Sequence, residues 1–154
     1  MTEAGEFELG TDGPKVILAG VDDSVTSLRA AAYAAGLARR QGARLVCVYV
    51  QQGSAMLGAS AVAAPGAVVA EEQALSEEAA SLRDRVAEAA DRLHLPMTFI
   101  TAHGDPFHEI KRIADEVRAD AVVVGASTRA DHRLIGSIAV RLVRAGRWPV
   151  TVVP

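Results

Sequence analysis

Short aliphatic runs alternate along this chain with longer segments of helical period, and no other feature of the sequence restricts its fold as tightly. The run "KVILAGV" (Lys15–Val21) leads into "DDSVTSLRAAAYAAGLARRQG", where Leu28, Ala31, Ala35 and Ala38 recur at helical spacing. Asp23 or Ser24 can cap this helix, Arg39 and Arg40 suit the negative end of its dipole, and Gly42 can take the left-handed cap. The pattern then repeats. "ARLVCVYV" (Ala43–Val50) precedes a helix with Leu75, Ala79, Leu82, Val86 and Leu93 on one face, and "PMTFITA" (Pro96–Ala102) precedes a helix opening "DPFHEI". "DAVVVG" precedes a helix from Gly136 or Ser137 to about Arg144, and "WPVTVV" closes the series. Most of these strands are aliphatic without polar alternation, so both of their faces must be covered. The expected fold is α/β, an open five-stranded parallel sheet with helices on both faces.

Length and charge exclude several classes. A chain of 154 residues, half of them hydrophobic, can bury one good core. Its 16 basic and 19 acidic residues give a net charge of -3 without a basic block, so nucleic acid is not an expected partner. The one cysteine, Cys47, lies inside an apolar run and reads as a packed thiol in a reducing compartment. The acidic start "MTEAGEFELGTDGP" lacks the basic and apolar sections of a signal peptide, and no uninterrupted apolar stretch reaches the ~18 residues of a membrane span. We therefore expect a cytoplasmic protein without membrane contact, with residues 1–14 a disordered tail ahead of a single domain at 15–154. The segment Gln51–Ala70, small, uncharged and punctuated by Gly53, Gly58, Pro65 and Gly66, reads as a mobile surface loop or a lid.

In open parallel sheets ligands bind beyond the carboxyl ends of the strands, where successive connections diverge. Asp22, just past the first strand, can hold a cation or a ribose hydroxyl, whereas Asp105 and Pro106 read as a compact helix start. Gly136 and Ser137 stand where free amides and the helix dipole favour an anion. Neither the GxxxxGK[ST] nor the GxGxxG fingerprint is present. His94, His103, His108 and His132 lack metal-ligand spacing, and no serine sits in a GxSxG elbow.

The order of "VILAGVDDS", then "HGDPFHEIKRIADEVRADAVVVGAS", then "GSIAVRLVRAGRWPVTVVP" resembles the universal stress protein family from about Lys15 to Pro154. The resemblance implies a Rossmann-like sheet of order 3-2-1-4-5 and a small cytoplasmic stress-response or regulatory protein. It also implies homodimers joined through the C-terminal strand and, in one branch, adenine-nucleotide binding, with ATP and Mg2+ as the cofactor. Gly20, Val21 and Asp22 then fall at the ligand, with Asp22 beside phosphates and metal and Val21 and Val50 near the adenine. Gly125, Gly136 and Ser137 match the outer glycine and terminal Gly-Ser of that branch's signature, Gly-x2-Gly-x9-Gly-(Ser/Thr), and Ile138 follows in the helix. The chain departs from the signature inside it. Thr128 stands at the second glycine, and "RADHRLI" places seven residues rather than nine before Gly136. Threonine is bulkier and stiffer than glycine, while Arg129 and Arg133 can offset phosphate charge. Two functions follow: a nucleotide-binding sensor with slow or absent ATPase turnover, or a dimeric interaction module of the same fold that binds no nucleotide.

Overall fold

A computed structural model describes residues 13–52, 65–126 and 137–154 of the chain. Within them run β1 (Val16–Gly20), α1 (Val25–Gln41), β2 (Arg44–Gln51), α2 (Pro65–Leu93) and β3 (Met97–His103). They are followed by α3 (Pro106–Glu116), β4 (Ala121–Gly125), α4 (Ser137–Ala145) and β5 (Val150–Val153). The strands form one parallel sheet of order β3-β2-β1-β4-β5, as the alternation and the family resemblance anticipated. The expected tail falls almost wholly outside the described residues.

Alternation along each strand divides the core between two faces. Ile17, Ala19, Leu45, Cys47, Tyr49 and Val123 point toward α1 and α2, while Leu18, Val46, Val48, Val122 and Val124 point toward α3 and α4. The start of β1 is pinned to the start of β4, because the Asp120 carboxylate accepts the Lys15 and Val16 amides at 2.8 and 2.9 Å.

Local signals explain the helix ends. Ser24 caps α1, its hydroxyl accepting the Ser27 amide at 3.2 Å, and Gly42 closes the helix at φ 64°. Asp23, the alternative cap, instead reaches Arg85 of α2 at 3.6 Å. Asp105 caps α3 through the His108 amide at 3.0 Å, with Pro106 in the first turn. The expected loop at Gln51–Ala70 needs correction: Gln51 is the last residue of β2, and α2 already begins at Pro65. Proline costs nothing at a helix start, where its missing N–H has no partner to lose, and a 29-residue helix anchored further along tolerates Gly66. Residues 53–64 of that segment lie outside the described residues.

Candidate functional site

The turn after β1 is organised by its own short side chains. Asp22 donates its amide to Ser27 Oγ at 2.6 Å, Ser27 Oγ donates back to the Asp22 carbonyl at 3.2 Å, and Asp22 Oδ1 accepts the Ser24 amide at 2.8 Å. One carboxylate oxygen of Asp22 therefore serves the turn. Oδ2 has no partner among the described residues, and the residue is exposed at the end of the sheet.

A second contact ties this turn to β4. Thr26 Oγ1 donates to the Ala126 carbonyl at 2.7 Å, and a Cβ on Gly125 would lie 2.6–2.8 Å from the Thr26 and Ser27 backbone. Gly125 is thus required by the close approach of α1 to the end of β4, whatever it does for a ligand. Thr26 and Ser27 escaped the sequence reading; the one clue to them was the run of hydroxyl residues in "DDSVTS". Gly20 faces the other way, where a Cβ would meet Ile110 Cδ1 at 3.2 Å and Val124 Cγ1 at 3.4 Å.

The remaining expected residues are distributed around these. Val21 is buried on the α1/α2 face and Val50 is half-buried on the α3/α4 face, so their side chains lie on opposite sides of the sheet. Ser137 is exposed at the first position of α4, and Ile138 packs against the α3/α4 core. Thr128, Arg129, Arg133 and Gly136 lie outside the described residues. An adenine nucleotide with Mg2+ needs a carboxylate oxygen, a helix start and space at the strand ends. The free Oδ2 of Asp22 and the exposed start of α4 fit its polar end. Among the described residues no group of three or more His, Cys, Asp or Glu could hold a metal, so one beside Asp22 would draw its other oxygens from phosphate and water.

Other reactive groups serve the fold. Burial pushes the Cys47 thiol up to about 12, leaving it protonated and inert at neutral pH. Tyr49 is raised as well, first by burial and then by Glu78. Burial acts to raise the Asp105 carboxyl, but the His108 amide and Arg141, at 3.3 Å, outweigh it and hold the carboxyl below its ordinary value. No helix among the described residues is long and apolar enough to cross a membrane.

Comparison with known proteins follows the same lines. Residues 14–154 match the profile of the Universal stress protein family. A universal stress protein of Methanocaldococcus jannaschii is 29% identical over 141 residues, covering 90% of this chain and 81% of its own. The crystal structure of a universal stress protein family member from Burkholderia pseudomallei superposes with a TM-score of 0.69 at 26% identity, covering 91% of this chain and 96% of the other. A universal stress protein in complex with cAMP gives a TM-score of 0.69 at 22% identity, covering 92% and 97%.

Proposed function

The chain belongs to the universal stress protein family, and from that premise we propose that it is a cytoplasmic stress-response sensor that binds an adenine nucleotide, ATP with Mg2+, beyond the ends of β1 and β4. The observation that carries this reading is the clamp of Thr26 on Ala126, which holds the exit of β4 beside a turn whose Asp22 keeps one carboxylate oxygen free. Rigid support of this kind is what a phosphate-facing segment needs in order to meet a ligand in one geometry. The cAMP complex of a relative with the same fold supports the choice of an adenine nucleotide. In this proposal Asp22 takes the metal, the amides of Gly136, Ser137 and Ile138 take phosphate, and Gly20, Val21, Val50, Gly125, Thr128 and Arg129 border the ligand. Turnover in this proposal is slow or absent, since among the described residues of the turn Asp22 is given to the metal and Asp23 is paired with Arg85.

A second reading, a dimeric interaction module that binds no nucleotide, is favoured by one observation: Oδ1 of Asp22 already caps the Ser24 amide, a sufficient structural reason for the residue. Calorimetry on nucleotide-free protein separates the two. The sensor reading expects ATP and Mg2+ to bind in the range of roughly 10 µM to 1 mM, about 4 to 7 kcal/mol. Asp22→Asn keeps the turn acceptor and removes the charge, and it should weaken binding about tenfold, or ~1.4 kcal/mol. No heat from the wild type rejects the sensor and leaves the interaction module.

A further inference from the structure

The helices α1 and α2 cover the same face of the sheet yet leave an open cavity of about 430 Å³ between them, within the size range of small-molecule pockets. Its walls are alkyl, with Leu28 and Ala35 from α1, Leu82 and Val86 from α2, and Cys47 beneath them. The charged residues lining it are Arg39, Arg85 and Arg92, and no carboxylate joins them among the described residues. In a chain of net charge -3 this is a local reversal of sign. Arg85 is engaged by Asp23 at 3.6 Å. Arg39 and Arg92 have no ion-pair partner among the described residues, and each sits in the last turn of its helix, so both belong to the same end of the cavity.

We propose that this cavity is a binding site for a single-chain carboxylate, a free fatty acid of medium or long chain. The alkyl chain lies between α1 and α2 above Cys47, where each buried methylene adds affinity. The carboxylate lies at the helix C-terminal end, where the guanidinium forks of Arg39 and Arg92 can each offer paired N–H donors. The partial negative charge of two helix ends opposes an anion there, but two full positive charges exceed it. This mouth lies at the end of α1 opposite to Asp22, and the assignment does not depend on nucleotide binding.

The test is calorimetry of the delipidated full chain with dodecanoate, held below its micelle concentration, and with dodecanol as the uncharged probe. Dodecanoate should saturate at one per chain and bind at least tenfold more tightly than dodecanol. Arg39→Gln combined with Arg92→Gln should weaken dodecanoate at least tenfold and leave dodecanol unchanged; both side chains are exposed, so the fold is retained. Ala32→Phe, which projects a ring from α1 into the cavity, should weaken both probes while the thermal transition stays cooperative. Absence of saturable dodecanoate binding, or undiminished binding by the arginine double variant, overturns the proposal.

Discussion

Gly125 shows how much one missing side chain can decide. Because an added Cβ would meet the backbone of Thr26 and Ser27 rather than the tip of a flexible side chain, the contact cannot yield without moving α1. Gly125→Ala should destabilise the fold by about 1–3 kcal/mol, read from the urea midpoint. Gly20→Ala should cost less, since its nearest neighbour, Ile110 Cδ1 at 3.2 Å, is the end of a side chain rather than backbone. Asp105 carries a pH dependence of definite sign. Its folded carboxyl lies below the ordinary value of 3.8, so its contribution is present above about pH 4 and is lost as pH falls through the folded value. Asp105→Asn keeps a capping oxygen and removes the titration, so the loss of stability below pH 4 should become shallower in acid unfolding curves. A variant whose acid limb matches the wild type would refute that role.

At the scale of elements, α1 divides its contacts in an unexpected way. Its deepest residues are Ala30, Ala34 and Ala38, whereas Leu28 and Ala31 of the anticipated core stripe are half-buried and border the cavity beside α2. Along α2, Leu82 is buried while Val86 faces the cavity half-exposed. Leu82→Ala should cost about 2–5 kcal/mol in chemical unfolding, and Val86→Ala distinctly less, because a site already open to solvent gains little new void. The hydroxyl of Thr26 joins α1 to the end of β4, and Thr26→Val should remove about 1 kcal/mol and speed amide exchange in the first turn of α1.

For the whole molecule the open question is what covers the edge of the sheet at β5. Val122 and Ala126 of the β4 side donate their amides to the Pro149 and Val153 carbonyls, so alternation turns the Val150 and Val152 amides outward. Among the described residues no strand pairs with this edge, whose half-buried valines invite a second strand, and we propose a homodimer joined through Val150–Val153. Light scattering at micromolar concentration should give twice the chain mass. Val152→Pro, which removes an outward amide without breaking the pairing to β4, should give one chain mass with the fold retained. A wild-type mass of one chain would refute the dimer.

The sequence by itself determined the α/β class, the succession of strands and helices, the caps at Gly42 and Asp105, and, through its family likeness, the strand order, while the choice of Ser24 over Asp23 as the cap of α1 came from the structure. These are legible because period, cap chemistry and aliphatic runs are local properties, written within a few residues of where they act. Tertiary structure alone decided that Gly125 makes room for α1, that Thr26 bonds Ala126, that Val21 and Val50 face opposite sides of the sheet, and that α1 and α2 stand apart over Cys47. Each of these depends on the distance between segments remote in the chain, and that distance is set by how whole elements pack, which no local pattern encodes.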